Sequence, residues 1–275
     1  MNAKLVKTIN YFLLALLAVV VLIPFFWMLT TALKSENEAL HTPPLILPGT
    51  PHFENFIKAL TVAPFLKYFF NTLVVSACVV VASTIVTVLA AYAFARLEFR
   101  GKTALFFVVL ASMMIPQEML IITNFMTMAK LGWLNSYQAL ILPYCVNAFN
   151  IFLLRQTIMQ IPEDLYTAAR IDGLGSFRYL RKVVLPIARP TILTTALLSL
   201  IWIWNTYAWP NLVTTNDDLR MVSNGLKNAF TTSTGNIQYE LQMAAATLVT
   251  IPLIILFVCL RKYIFAGMAK AGIKG

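Results

Sequence analysis

The sequence predicts an all-α, polytopic membrane protein with six membrane-crossing helices, and three observations carry that expectation. Apolar residues make up 59% of the 275-residue chain and charged residues only 12%, a balance unlike that of an ordinary soluble domain. The apolar residues gather into runs close to the length of about 20 residues that a helix needs to cross a bilayer. The basic residues follow those runs asymmetrically. With the N-terminus inside, fifteen of the 21 Lys and Arg fall on the inner face and six on the outer. The formal net charge of +10 is thereby explained by inner loops. No basic run sits on a soluble domain, so nucleic acid is not a predicted partner.

Residues 1–8, with Lys4 and Lys7, form a short cytoplasmic start. Residues 9–33 are the first span. The run is too long for a typical signal peptide and no small-residue cleavage site follows it, so it reads as a retained helix. Residues 34–70 form an extracytoplasmic loop in which Pro43, Pro44, Pro48, Gly49 and Pro51 favour turns and extended chain. His41 and His52 both lie here. No third ligand is spaced with them, which favours solvated side chains over a metal pair. Residues 71–260 form a five-helix core, and residues 261–275 a cytoplasmic tail.

Within that core the second span runs from Asn71 to Phe94, with Ala90, Ala91, Ala93 and Ala95 permitting close helix packing. Gly101-Lys102-Thr103 imitates the end of a phosphate-binding loop. That motif needs Gly at position 96, where Arg96 stands, and a preceding strand, where a membrane helix stands. The chain therefore predicts no nucleotide site of its own. No nucleophile, metal set or acid–base pair marks it as an enzyme either.

The third span, Leu105 to Asn124, contains Pro116 and Gln117, which predict a kink. The fourth, Ala139 to Leu154, holds Pro143, Asn147 and Asn150. The two Asn are three apart, on one helix face, and polar groups at membrane depth must face protein or water. Helix-to-helix hydrogen bonds and substrate contact both fit. The fifth span, Thr191 to Trp209, carries Trp202, Trp204, Asn205, Tyr207 and Trp209. Such aromatics serve as interfacial anchors, or hold a sugar ring by stacking beside an Asn hydrogen bond. Met243 to Leu260, interrupted by Pro252, is the last span. Cys78, Cys145 and Cys259 lie in apolar runs without ligand spacing and read as small buried hydrophobes.

Between the fourth and fifth spans lies the longest polar-rich interruption, IPEDLYTAARIDGLGSFRYLRKVVLPIARP, residues 161–190. Pro162 suits a first helical turn, and Glu163 and Asp164 put negative charge at the positive end of the helix dipole. Leu165, Ala168, Ala169 and Asp172 follow at helical spacing. Gly173 supplies the left-handed residue that ends a helix. A second short helix spans Ser176 to Leu185, and Pro186 and Pro190 are expected to break it and start the next span. The small surface of Ala168 and Ala169 would let another protein approach.

This stretch resembles the cytoplasmic EAA loop of the membrane subunits of bacterial ABC importers. It reads T-A-A-R-I-D-G here, then Leu180, Leu185-Pro186 and Pro190; the family's Glu is replaced by Thr167. MMIPQEMLIITNF, LGWLNSYQALILP, WIWNTYAWP and the closing GMAKAGIKG resemble the carbohydrate-uptake branch, and are most similar to the smaller permease of maltose-type importers. The resemblance implies a MetI-like permease bundle in the inner membrane, with both termini cytoplasmic. It implies a partner ATPase dimer that binds ATP and Mg, a second permease and an extracytoplasmic solute-binding protein. It places the ATPase-coupling surface on Glu163, Leu165, Thr167, Ala168, Ala169, Asp172, Gly173 and Pro186. The tail Gly272, Ile273, Lys274 and Gly275 would reach the ATPase. Asn147, Asn150, Trp202, Asn205 and Tyr207 become candidates for the substrate pathway. A secondary transporter driven by an ion gradient is the alternative. Such proteins usually carry ionisable residues within their spans, whereas Glu118 is the one acidic residue near mid-chain apolar sequence here.

Overall fold

In the computed structural model the described residues are 3–230 and 237–272, with no side chains described at 3–5, 227, 228, 256 and 259–272. The chain divides into two units, Met1–Leu66 with Gly225–Ile255, and Lys67–Asn224 with Leu256–Gly275.

The first unit opens with α1 (Ala3–Ala32). Its apolar stretch Val6–Ala32 buries none of its most apolar window against the chain, so its carbon surface must face lipid or another protein. At its end Lys34 is buried. Its ammonium donates to Leu45 O at 2.6 Å and lies 4.3 Å from the Trp27 ring centroid. Burial pushes the Lys34 amine below its ordinary value, against the opposing field of Glu38. Helix α2 (Glu36–Ala39) starts on a capping box, in which Ser35 and Glu38 satisfy each other's backbone amides. Helix α3 (Glu54–Val62) follows the prolines. Asn55 ties it down by donating to Ala32 O at 2.9 Å and Lys34 O at 2.8 Å. His52 pairs with Glu54 at 2.7 Å, and His41 contacts Pro43 O. Among the described residues no three His, Cys, Asp or Glu side chains gather as metal ligands. Ala32, Ala59, Phe65, Phe230, Leu241, Ala244 and Ala245 form the buried core, the last three contributed by α14 (Tyr239–Gly272).

In the second unit, α4 (Phe65–Arg96) is a single long apolar helix. The third crossing is broken. Helix α5 (Lys102–Ser112) stops before Pro116, a 3₁₀ turn covers Gln117–Leu120, and α6 (Ile121–Lys130) leaves at 88°. The expected kink is thus nearly a right angle, because Pro116 both lacks a donor and bars the preceding residue from helical geometry. The fourth crossing is broken too. Helix α7 (Tyr137–Ile141) passes through a turn at Leu142–Tyr144 into α8 (Ala148–Met159), bent by 41°. Pro143 sits in that turn.

The loop helices are α9 (Glu163–Ile171) and α10 (Ser176–Tyr179). Helix α10 does not end at the prolines. It continues through one π-helical turn, Leu180–Val184, into α11 (Leu185–Asn205). Pro186 falls in the first turn of α11, where its missing N–H costs least, and the wider π turn before it relieves the ring's clash with the preceding turn. The fifth crossing is therefore Ser176–Asn205, not a helix restarted at Thr191. It stops at Thr206, so Trp209 belongs instead to α12 (Ala208–Val213).

Polar side chains seal the end of this unit opposite the loop. Asn71 donates to Asp218 O and Arg220 O at 2.8 and 3.0 Å and accepts from the Tyr137 hydroxyl at 2.7 Å. Thr72 accepts from Val222 N at 2.9 Å, at the start of α13 (Val222–Ala229). Of the predicted tail contacts, Gly272 ends α14, and Ile273, Lys274 and Gly275 lie outside the described residues.

Candidate functional site

Helix α9 is held by its buried face and presents the other. Tyr166 stacks edge-on against Tyr179 at 5.0 Å, and Ala169 packs into a core with Tyr92, Leu154, Ile158, Ile161, Leu180 and Val184. Tyr92 adds a hydrogen bond from its hydroxyl to Ser176 O at 3.0 Å. Arg96, at the end of α4, is almost wholly buried. It donates to Ile161 O and forms an ion pair with Glu163 in the first turn of α9. Sequence reasoning missed Arg96 as a positioning residue. Its only signal was a basic residue at a helix end.

The far end of α9 closes in two backbone bonds. Gly173 N donates to Arg170 O at 3.0 Å and Leu174 N to Ala169 O at 2.9 Å, the Schellman pattern. Gly173 makes this possible with φ +74°, as predicted from its place after Asp172. The outward face then carries Leu165, Thr167, Ala168, Ile171 and Asp172, with Ile171 81% exposed. Phe177 on α10 is 71% exposed. The expected small patch is accordingly half right: Ala168 faces out, whereas Ala169 is buried and packs the helix onto its own chain. A step of about 100° per residue carries Ala169 from the exposed face that holds Ala168 round to the buried one.

The broken crossings enclose two neighbouring hollows. One, of about 220 Å³, is lined by Gln117, Glu118, Asn124, Tyr144, Trp202 and Thr206 among others. The second, of about 280 Å³, is lined by Gln117, Tyr144, Asn147, Asn150, Ser199 and Trp202 among others. Gln117, Tyr144 and Trp202 border both. Tyr144 and Trp202 meet edge to face at 4.8 Å. Three of the five predicted pathway residues are therefore on these walls. Asn205 instead turns back to donate to Ile201 O at 2.7 Å, and Tyr207 borders neither hollow.

Asn147 and Asn150 do not lie on one helix face. Asn147 has extended backbone, and its side chain accepts from Asn150 N at 3.0 Å, so it caps α8. A three-residue spacing suits a cap as well as a face, and Pro143 decides for the cap by interrupting the helix. Asn150 crosses to α11, donating to Ser199 at 2.9 Å. The aromatic cluster of the fifth crossing also divides. Trp204 is buried edge-on to Phe69, and Trp209 is buried with its indole donating to Ala139 O at 2.8 Å. Trp202 borders both hollows, Trp209 borders the first only, and Trp204 borders neither. Gln117, Glu118 and Tyr144 were missed as wall residues. The available signal was two polar residues directly after a proline in an apolar run.

Comparison with known proteins agrees with this geometry. Residues 83–270 match the family described as binding-protein-dependent transport system inner membrane component. The trehalose/maltose transport system permease protein of Thermococcus litoralis is 33% identical over 264 residues, 94% of each chain. The sn-glycerol-3-phosphate transport system permease protein of Salmonella typhi is 30% identical over 277 residues, 98% of each. A chain in the crystal structure of a bacterial ABC transporter that imports the acidic polysaccharide alginate superposes with a TM-score of 0.83. The two are 25% identical, covering 94% of this chain and 96% of that one. The chain belongs to the binding-protein-dependent transport system inner membrane components, the permease subunits of ABC importers.

Proposed function

We propose that this chain forms half of the translocation pathway of an ATP-driven sugar importer. On this reading, α9 is the handle by which a partner ATPase dimer moves it. ATP and Mg bind on that partner, and hydrolysis occurs there. The observation that carries the reading is the outward face of α9: exposed Leu165, Ala168 and Ile171 on a helix fixed to its own chain by Arg96, Tyr166 and the Gly173 turn. A helix held so firmly from behind transmits displacement instead of absorbing it.

On this reading α9, both termini and the Arg96 end of α4 are cytoplasmic, which the positive-inside bias of the sequence supports. ATP-driven closure of the ATPase then pulls α9. Gly173 and α10 pass the motion through the π turn and Pro186 into α11. Trp202 and Ser199 ride on that helix, so the hollows open alternately to either side as the bundle exchanges two packings. A second permease supplies the other half, and a solute-binding protein delivers cargo from outside.

A carbohydrate suits the walls. Tyr144 and Trp202 offer ring faces, and Gln117, Asn147 and Asn150 offer amides to hydroxyl groups. The Thermococcus relative transports trehalose and maltose by name. The deciding experiment is ATP-dependent uptake of radiolabelled sugars by vesicles holding the chain with its second permease and ATPase. Uptake should require ATP and an intact α9 face. Leu165→Asp together with Ile171→Asp should leave the chain inserted and abolish uptake. Undiminished uptake by that variant would remove α9 from the mechanism.

A further inference from the structure

A groove of about 390 Å³ lies between α4 and the segment running from α10 through the π turn into α11. Its lining is almost entirely carbon, from residues including Ile85, Leu89, Phe177, Leu185 and Ile192. The charged exception is Arg181. Ile85 and Leu89 are about half exposed and Phe177 more so, so the groove is open along the flank of two membrane-crossing helices. From Arg181 to Ile192 it extends roughly 16 Å along the helix, at 1.5 Å per residue. The side chains of Arg178, Arg181, Lys182 and Arg189 make no hydrogen bond or ion pair among the described residues.

We propose that this groove binds one anionic phospholipid from the cytoplasmic leaflet, its acyl chain along the groove and its phosphate on Arg181. The charge pattern selects that occupant. An acyl chain satisfies the carbon walls, and a phosphate at the membrane surface satisfies a guanidinium that the described residues leave unpaired. A purely apolar partner helix would fill the walls and strand the charge. The site touches the coupling machinery directly, because Leu180 of the π turn forms part of its wall. Lipid held there packs against the element that carries motion from the loop into α11. Anionic lipid should therefore raise the efficiency with which ATP hydrolysis drives uptake.

The test uses the complete importer, purified with its second permease and ATPase. Lipid retention is read by native mass spectrometry after addition of phosphatidylglycerol or phosphatidylcholine. The wild-type importer should retain phosphatidylglycerol in preference to phosphatidylcholine. Arg181→Gln should weaken retention about fivefold, the worth of one basic side chain at a membrane surface. Arg181→Lys should keep most of it, and excess inorganic phosphate should not displace it. Leu89→Trp fills the groove from α4 without altering charge and should also release the lipid, which guards against misfolding of the arginine variant. Equal retention by wild type, Arg181→Gln and Leu89→Trp would overturn the proposal. So would displacement by inorganic phosphate alone, which marks a free-anion site. A photo-crosslinker at position 89 that captures the second permease instead of lipid would overturn it as well.

Discussion

Replacing Gly173 with valine should abolish transport while leaving the chain folded and in the membrane. Gly173 holds φ +74°, and nothing lies within 4 Å of where a Cβ would stand, so the whole penalty is conformational. A left-handed L-residue costs about 1–2 kcal/mol, and a β-branched one is a true outlier there. If the backbone instead flips to negative φ, the bonds to Arg170 O and Ala169 O are lost, at about 1 kcal/mol each. Either route costs about 2 kcal/mol, against a folding stability of roughly 5–15 kcal/mol. The protein survives, but the turn joining α9 to α10 is loosened or re-aimed. The assay is ATP-dependent sugar uptake in vesicles, alongside ATPase rate and membrane insertion. Gly173→Asn, which tolerates the left-handed region, should retain most uptake. Gly175→Ala is the matched control. Gly175 has φ −69° and open space around it, so the change should be neutral. Normal uptake by Gly173→Val, or equal loss with Gly175→Ala, would refute the reasoning.

Arg96→Gln should destabilise the seat of α9 by about 1–3 kcal/mol, since the ion pair with Glu163 and the bond to Ile161 O are lost together. Glu163→Gln should cost at most about 1 kcal/mol because that carboxylate is largely exposed; thermal unfolding of the importer in detergent would separate them. In the hollows, Trp202→Ala should lower uptake more than Tyr144→Phe, which keeps the edge-to-face pair worth about 0.5–1.5 kcal/mol. Competition uptake with unlabelled sugars would measure the difference. The loop that contains Glu38 should loosen in acid. The backbone amides of Ser35 and Gly49 hold the Glu38 carboxyl below its ordinary value of 4.5. A depressed carboxylate contributes stability that is complete above the ordinary value and lost as pH falls through the lower one. The protection of the Gly49 amide against hydrogen exchange, corrected for the intrinsic rate, should therefore fall across that acid range, and Glu38→Gln should remove that pH dependence.

The parts legible in the sequence were those set by local rules. Apolar run length anticipated the long apolar helices α1 and α4, and Asp172-Gly173 announced a helix end that the Schellman bonds realise. What escaped was decided by tertiary context. Pro116 signalled a kink, but the 88° bend depends on what the polar residues after it can face. Pro186 looked like a helix stop, yet a preceding π turn let the helix run on. Asn147 and Asn150 fitted a shared face by spacing and turned out to be a cap and its neighbour, because Pro143 had already ended the helix. Arg96 could not be assigned to Glu163 from sequence, being 67 residues away. The tryptophans of the fifth crossing read as one aromatic face, but the turn at Thr206 sends Trp209 into another helix, Trp204 packs against Phe69, and Trp202 is the one that borders both hollows.

The most direct test of the central claim is uptake by vesicles containing the purified chain, its second permease and the ATPase, with ATP and ion gradients varied independently. Importer function predicts sugar accumulation that follows ATP, needs the binding protein, and ignores collapse of the proton and sodium gradients. Accumulation by the chain alone, driven by an ion gradient and indifferent to ATP, would contradict it and establish a secondary transporter.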